Sequence, residues 1–288
     1  MPLLNTSGIL IENTFLPSAH LERDVIIDFY LPKNVDDPSE ISLLLINDGQ
    51  NMVELGLEKM IEQLYSEKTI TPLLCAAIHA GEERKMEYGT AHCRDYKGRG
   101  AKADQYTSFI FNELLPFIKT TYRLPHFKEK AFAGFSLGGL SALDIVWNYP
   151  NEFKKAGIFS ASLWWRTKSL DDGYEEDTDR IMHQHIRNGK YNPGLKFFFQ
   201  TGTLDEEIDR NKNGVIDSID DTKDLIDALI EKGYNGIEDV HYLEIENGTH
   251  DITTWAVAMP EFLKWGWGKE RFDVRGSRFK DRDSKSNM

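Results

Sequence analysis

The chain alternates between short apolar runs and segments whose apolar residues recur every three or four positions. The apolar runs are rich in β-branched and aromatic residues, which is typical of β-strands. They predict strands that begin near Ile9, Asp24, Ser42, Pro72, Lys130, Lys155, Leu195 and Asp239. The periodic segments predict helices around residues 52–65, 104–122, 137–149, 221–232 and 253–265.

The order of these elements indicates the fold class. The later apolar runs are almost continuous, as expected of parallel strands that are covered on both faces. Strands that alternate with helices predict an α/β fold with a mostly parallel central sheet flanked by helices on both faces. We expect one domain over residues 1–266, with a polar cap-like insertion or surface excursion at 166–194. Residues 267–288 are highly charged and poor in aliphatic side chains, which predicts a flexible tail.

Composition narrows the classes of function. The net charge of −13 comes from 47 acidic and 34 basic residues, and it argues against a nucleic-acid partner, whose phosphates would be repelled. No apolar run is long enough to span a bilayer, so no membrane partner is expected. The start of the chain, MPLLNTSGILIENTF, lacks the features of a signal peptide, and the two cysteines predict no disulfide framework. These features predict a cytoplasmic protein, although a secreted or periplasmic form without its leader would look the same. They leave the oligomeric state open.

The stretch AFAGFSLGGLSALD contains a candidate nucleophile. Residues Gly134 to Gly138 fit the pattern G-x-S-x-G, with Ser136 at the centre, a predicted strand before it and a predicted helix after it. A nucleophile elbow requires this setting, because the glycines let the helix cross close to the strand and tolerate the unfavourable backbone angles of the serine. The alternative is a tight turn of small residues without chemistry.

A serine hydroxyl needs a base to take its proton, and in this topology the chain order is serine, acid, histidine. His241 falls within a strand pattern, so His250, in the loop before the last helix, is the candidate base. Asp205 is the first carboxylate after the strand FFFQTGT and is the candidate acid that orients the imidazole. The choice of acid stays open, because further carboxylates follow at Glu206, Glu207 and Asp209.

The negative oxygen of an acyl-transfer intermediate requires backbone N–H groups aimed at it. Leu137, the residue after the nucleophile, would supply one of them. The loop after SLLLIND reads Asp48 to Asn51 and would supply the other, with Gln50 as the predicted donor.

These motifs together resemble the esterase D-like branch of the α/β-hydrolase superfamily. That branch includes S-formylglutathione hydrolases, feruloyl esterase modules, and enterobactin and salmochelin esterases. The matching stretches are INDGQNM, RKMEY, the segment from Gly98 to Ala101 with FIFNELLPFIKTTYR after it, GFSLGGLSAL, SASLWW and GTHD. The resemblance covers most of residues 43–265.

The resemblance implies a hydrolase that needs no cofactor for catalysis and acts on small-molecule carboxylic esters, with Ser136, Asp205 and His250 as its triad. It also implies that four residues lie near the substrate pocket: Arg84, Tyr88, Trp164 and Trp165. The alternative for these residues is a role in the scaffold. Members of the family differ widely in substrate, so the resemblance selects no single ester. Acyl transfer with the same triad and non-catalytic binding on the same fold are the alternative functions.

One segment departs from the family pattern. Residues 209–220, DRNKNGVIDSID, match the spacing of a calcium-binding loop, with glycine at the sixth position for the sharp turn. The candidate ligands are the side chains of Asp209, Asn211, Asn213, Asp217 and Asp220 and the backbone carbonyl of Val215. A structural calcium ion would brace the segment that carries Asp205, whereas the alternative is a hydrophilic surface loop. Because the cytoplasm holds little free calcium, this expectation is in tension with the expected location.

Overall fold

The structure is a computed structural model that describes residues 8–33 and 35–269. The strands are β1 (Ile9–Ser18), β2 (Arg23–Pro32), β3 (Ser42–Asn47), β4 (Leu73–Ile78), β5 (Lys130–Phe135), β6 (Lys155–Phe159), β7 (Lys196–Leu204) and β8 (Val240–Thr249). The helices are α1 (Met52–Leu55), α2 (Leu57–Ser66), α3 (Arg84–Glu87), α4 (Ala103–Phe109), α5 (Leu115–Thr121), α6 (Leu137–Asn148), α7 (Glu176–Asp179), α8 (Ile181–Asn188), α9 (Asp217–Lys232) and α10 (Ile252–Trp267). Short 3₁₀ turns lie at Pro38–Glu40 and Gly49–Asn51, and a π-helical turn at Ile110–Leu114 joins α4 to α5.

The eight strands form one sheet in the order β1-β2-β4-β3-β5-β6-β7-β8. β1 pairs with β2, and β2 with β4, in antiparallel fashion. All the other pairs, from β4 through β3 to β8, are parallel. The predicted strands and the mostly parallel sheet are therefore confirmed. Each parallel strand ends at the same edge of the sheet, so the loops after β3, β5, β7 and β8 meet there.

Strand β3 shows why the central strands read as continuous apolar runs. Leu43 and Leu45 face a core that also contains residues of α4, α5, α6, α8 and α9. Leu44 and Ile46 face the other way, into a core shared with α1, α2 and α10. All four side chains are fully buried, because successive residues of a strand point to opposite faces and helices cover both.

The structure differs from the predicted helices in several places. The short helix α3 lies where no helix was predicted, and α9 begins four residues earlier than predicted. The segment 52–65 is divided by Gly56, whose positive φ of 77° ends α1. The segment 104–122 contains the π-helical turn. The polar segment 166–194 holds α7 and α8, and α8 buries Ile181, Met182 and Ile186 in the core. An apolar stripe of three residues on an eight-residue helix is too short for its periodicity to stand out from the surrounding polar sequence.

At the end of the described chain, α10 continues to Trp267, and Gly268 bridges to Ile70. Residues 267 and 268 of the predicted tail therefore belong to the fold, and residues 270–288 lie outside the described residues. No helix in the described ranges is long and apolar enough to cross a membrane.

Gly157, in the middle of β6, is a position where the size of the side chain is limited. A Cβ atom there would lie 2.7 Å from the ring of Phe262 and 2.9 Å from the Cβ of Ala133. We expect Gly157→Ala to lower the free energy of unfolding by about 1–3 kcal/mol, because overpacking strains a close-packed core. Urea denaturation followed by circular dichroism measures this change.

The matched control is Gly266→Ala in α10, where the nearest atom to the added Cβ is 4.0 Å away. This variant should leave the free energy of unfolding unchanged or raise it by up to about 1 kcal/mol, because alanine favours a helix more than glycine does. Equal losses in the two variants would show that crowding at Gly157 is not the cause.

Candidate active site

Ser136 stands between the end of β5 and the first residue of α6, with φ 53° and ψ −124°. A non-glycine residue in such a sparsely populated conformation costs roughly 1–3 kcal/mol and persists only where its surroundings hold it. Here the backbone of Ser136 is held on both sides. Its N–H donates to the carbonyl of Phe159 at 2.9 Å, and its carbonyl accepts from the N–H groups of Gly139 and Ser162, both at 3.1 Å.

The glycines of the elbow are required by close approach. A Cβ at Gly134 would collide with the carbonyl of Gly138, and a Cβ at Gly138 would lie 2.7 Å from Oδ2 of Asp48. The strand and the first turn of the helix therefore touch backbone to backbone. This contact explains the G-x-S-x-G pattern in physical terms.

The loop after β3 approaches the elbow from the neighbouring strand. Asp48 adopts a left-handed conformation, with φ 62° and ψ 44°, and the 3₁₀ turn Gly49–Asn51 follows. The side chain of Asn47 donates to the carbonyl of Gly138 at 2.8 Å, which joins this loop to the first turn of α6. Gln50 and Leu137 each stand in the first turn of a helical segment, where an N–H has no acceptor within the helix.

Asp205 directly follows β7 and is 9% exposed. Its Oδ2 accepts the N–H of Gly202 at 3.0 Å, whereas its buried Oδ1 has no hydrogen-bond partner among the described residues. Burial raises the pKa of this carboxyl, and the Gly202 N–H, the Ser160 hydroxyl and the charge of His250 oppose the shift. The carboxylate is thus fixed in place and keeps one oxygen available to a donor.

His250 lies between the end of β8 and the first residue of α10, and its side chain is on the surface. Desolvation lowers the pKa of His250, the charge of Asp205 opposes this, and the charge of Arg84 adds to it. Among the residues that the structure describes, no hydrogen bond joins the imidazole of His250 to Ser136 or to Asp205. The structure therefore places His250 within electrostatic reach of Asp205 but does not join the three predicted triad residues by hydrogen bonds.

Two residues that the sequence did not indicate support the acid and the histidine. The indole of Trp255 packs edge-on against the ring of His250, with 5.4 Å between the ring centroids. Its Nε1 donates to the hydroxyl of Ser160 at 3.1 Å, and that hydroxyl lies beside Asp205. Ser160 is the first residue of the stretch SASLWW, and Trp255 lies four residues after GTHD, but nothing in either stretch indicates that they are partners.

The four residues predicted near the pocket differ in burial. Tyr88 and Trp165 are fully buried, and the Trp165 ring packs where a Cβ at Gly89 or Gly100 would collide with it. Trp164 and Arg84 are partly exposed. A role in the scaffold is thus visible for the buried pair, and contact with substrate stays a prediction for all four.

Arg84 is already engaged within the protein. Its Nε and Nη2 donate to Oδ1 and Oδ2 of Asp48 at 2.6 and 2.7 Å. Its guanidinium also lies 5.1 Å from the centroid of the Tyr88 ring.

The loop 209–220 brings several of its predicted ligands together. Asp209 accepts the N–H groups of Asn213 and Gly214 at 3.1 and 2.9 Å. Asp220 accepts the side-chain amides of Asn211 and Asn213. Asp217, in contrast, pairs with Arg210, whose Nη1 lies 2.9 Å from its Oδ2. Within the described ranges, no group of three or more His, Cys, Asp or Glu side chains forms a metal-binding cluster, so calcium binding stays a prediction.

Among curated proteins, the chain is similar to YbbA of Bacillus subtilis (strain 168), an uncharacterised protein. The two are 24% identical over 261 residues, which cover 88% of this chain and 97% of YbbA.

Among solved structures, the chain is similar to the enterobactin esterase Fes from Shigella flexneri, with a TM-score of 0.67 and 16% identity over 91% of this chain and 60% of Fes. This chain thus spans about three fifths of the length of Fes. It is also similar to an IroE-like serine hydrolase from Shewanella oneidensis, with a TM-score of 0.66 and 16% identity over 88% of this chain and 79% of that protein. Together with the eight-stranded, mostly parallel sheet, these likenesses confirm the α/β-hydrolase fold.

The family model described as Putative esterase matches residues 18–265. This range contains every strand from β2 to β8 and all the loops at the candidate site. The chain belongs to this esterase family.

Proposed function

We propose that the protein hydrolyses carboxylic esters of small molecules through an acyl-enzyme, with Ser136 as nucleophile, His250 as base and Asp205 as orienting acid. The observation that carries the proposal is the strained turn at Ser136, at the junction of β5 and α6. Such strain is concentrated at active sites, where it exposes the reactive side chain. Membership of an esterase family supports ester hydrolysis as the activity.

In the proposed reaction, His250 takes the proton of the Ser136 hydroxyl, whose oxygen attacks the ester carbonyl carbon. The carbonyl oxygen becomes negative and accepts the N–H groups of Leu137 and Gln50. His250 then gives its proton to the leaving alcohol oxygen as the C–O bond breaks. A water molecule, deprotonated by His250, attacks the acyl group, and the Ser136 oxygen leaves and recovers the proton.

Asp205 fits the role of the acid better than its neighbours do. Its unfilled Oδ1 can accept a ring N–H of His250, and its charge favours the imidazolium form. Glu206 faces other carboxylates, and burial together with Asp217 and Asp221 raises its pKa to about 6. Glu207 is exposed, and Asp209 is occupied within the 209–220 loop.

The proposal requires the imidazole of His250 to turn toward Ser136. Its exposed position after β8 leaves room for this rotation. Catalytic hydrogen bonds are often long or absent without substrate and tighten when it binds.

Acyl transfer to an alcohol would use the same triad and differ only in the acceptor. Product analysis in the presence of a competing alcohol separates the two reactions, because a transferase would yield mainly the new ester. A non-catalytic binding protein would show neither turnover nor labelling of Ser136 by a fluorophosphonate.

Ser136→Ala should abolish turnover of p-nitrophenyl acetate, with a loss of roughly 10⁴–10⁶-fold in kcat, because no other group can form the acyl-enzyme. His250→Ala should lose about as much. Steady-state kinetics and fluorophosphonate labelling measure these effects.

The control is Ser141→Ala on helix α6. The Ser141 hydroxyl accepts a hydrogen bond from the N–H of Gly89 at 2.8 Å. This variant should lose about 1 kcal/mol of stability and keep its turnover. Turnover by Ser136→Ala close to wild type would refute the proposal.

Asp205→Asn should lower kcat by about 10²–10⁴-fold, because the histidine loses the group that orients it and stabilises its charge. Glu206→Gln, a matched change at the next residue, should alter kcat by less than about 3-fold. Both are measured with the same ester. If Glu206→Gln is the more damaging substitution, the acid has been assigned to the wrong carboxylate.

Calcium binding by the loop 209–220 predicts that added calcium raises the melting temperature by about 5 °C over that in chelator, because an ion that binds only the folded state stabilises it. Differential scanning calorimetry measures the shift. Asp209→Asn should abolish it, whereas Asp171→Asn, at an exposed acid outside the loop, should not. Equal melting temperatures with calcium and with chelator would identify the segment as a hydrophilic loop.

A further inference from the structure

We propose that Arg84 is a positioning residue for the oxyanion hole: it holds the loop that carries the Gln50 N–H against the elbow that carries Ser136. This inference rests on the proposed function of the same site. It assigns Arg84 a role that does not require contact with substrate.

In the loop after β3, the guanidinium of Arg84 binds Asp48, the residue at which the chain turns. Asp48 has a left-handed backbone two residues before Gln50, and its side chain is 3% exposed. Both carboxylate oxygens accept from Arg84, at 2.6 and 2.7 Å, and this two-point geometry fixes orientation as well as distance. The N–H of Asp48 donates to the buried hydroxyl of Tyr88 at 3.3 Å. The turn before the oxyanion donor is therefore held through its side chain and its backbone.

At the turn between β5 and α6, the same guanidinium contacts Phe135, the residue before the proposed nucleophile Ser136. Nη2 of Arg84 lies 3.5 Å from the carbonyl oxygen of Phe135. The carboxylate that Arg84 holds also lies against the turn after the nucleophile, where a Cβ at Gly138 would be 2.7 Å from Oδ2 of Asp48. One ion pair thus contacts the chain on both sides of Ser136.

The helix that carries Arg84 is held in place by contacts outside the candidate site. Arg84 is the first residue of α3, and Glu87, on the same short helix, is 1% exposed at its side chain. Glu87 accepts two hydrogen bonds from Arg23, at 2.7 and 2.6 Å. Because α3 is anchored to β2 in this way, the guanidinium of Arg84 is directed by the fold and needs no ligand.

The charge of Arg84 also acts on the base. The charged groups that face His250 are Asp205 after β7, Asp251 at the start of α10, and Arg84 on α3. The two carboxylates favour the imidazolium, and Arg84 disfavours it. Loss of the cation should therefore raise the pKa of His250, and the acid limb of kcat/KM should move to higher pH, because only the neutral imidazole can accept the serine proton.

The experiment compares Arg84→Met, Arg84→Lys and wild type with p-nitrophenyl acetate, a small neutral ester that a cation has no reason to bind. We expect Arg84→Met to lower kcat by about 10–100-fold with KM within about 3-fold. The reason is that the Gln50 N–H, which would be misplaced in this variant, stabilises the transition state and not the bound ester. The kcat of Arg84→Lys should lie between those of wild type and Arg84→Met, because an ammonium cannot hold both oxygens of Asp48. Binding of a trifluoromethyl ketone analogue should weaken in proportion to kcat/KM.

The matched control is Arg180→Met, which breaks a buried two-point ion pair with Asp221 and Asp224 on α9 and lies outside both α3 and the elbow. Its melting temperature should fall at least as far as that of Arg84→Met, with kcat within about 2-fold of wild type. If Arg84→Met does not fold, Arg84→Lys is compared with wild type and the control instead. Its kcat is expected to fall by more than about 5-fold.

Unchanged kcat in the Arg84 variants, or equal kcat losses in Arg180→Met and Arg84→Met, would overturn the positioning role. An increase in KM alone would also overturn it and identify Arg84 as a substrate contact. These outcomes differ from failure of the proposed function itself, in which wild type would show no turnover and no fluorophosphonate labelling of Ser136.

Discussion

The close contact between β5 and the first turn of α6 is the constraint on which the candidate site depends. A Cβ atom at Gly134 would collide with the carbonyl of Gly138, and one at Gly138 would lie 2.7 Å from Oδ2 of Asp48. Ser136 lies between these two glycines with a positive φ, and the N–H of Leu137 lies at the open start of the helix. Asp48 lies against Gly138, so the loop after β3 closes over the same turn. The candidate nucleophile and both proposed oxyanion donors thus lie at two close contacts that share Gly138.

The two halves of the site are held in different ways. One half consists of the loop after β3 and the start of α6, which carry the proposed oxyanion donors. It is held by backbone hydrogen bonds, by Asn47 and by the Arg84–Asp48 pair. The other half consists of the candidate acid Asp205, which is fixed by the Gly202 N–H, and the exposed His250, whose ring packs against Trp255. Asp251 caps α10 by accepting the N–H of Thr254 at 3.0 Å, so the loop around His250 is anchored on one side. A rigid set of N–H donors beside an exposed imidazole suits the proposed reaction, in which one imidazole serves several proton transfers in turn.

How far the sequence predicts this arrangement depends on the range of the interaction. The parallel strands could be read because burial on both faces leaves an apolar run, as in β3. Ser136 was found because a close approach requires glycines at fixed spacing, and the candidate acid and base because they follow particular strands. The partnership of Arg84 with Asp48, and that of Trp255 with Ser160, left no local signal, since each joins residues far apart in the chain. Helix α8 was missed because its stripe is too short.

The division between fixed and exposed parts also explains why family membership does not select a substrate. In the proposed reaction, the fixed groups act on the ester carbonyl, which every carboxylic ester possesses. The side chains that border these groups on the surface are a different set: Val53 follows the oxyanion loop and is 86% exposed, and Leu204 and Ile208 flank Asp205 at 55% and 57%. Residues in such positions can change without disturbing the contact at Gly138 or the pair at Asp48. Substrate choice can therefore vary among members of the family, because the atoms proposed to perform the reaction and the atoms that would surround the acyl and alcohol groups are under separate constraints.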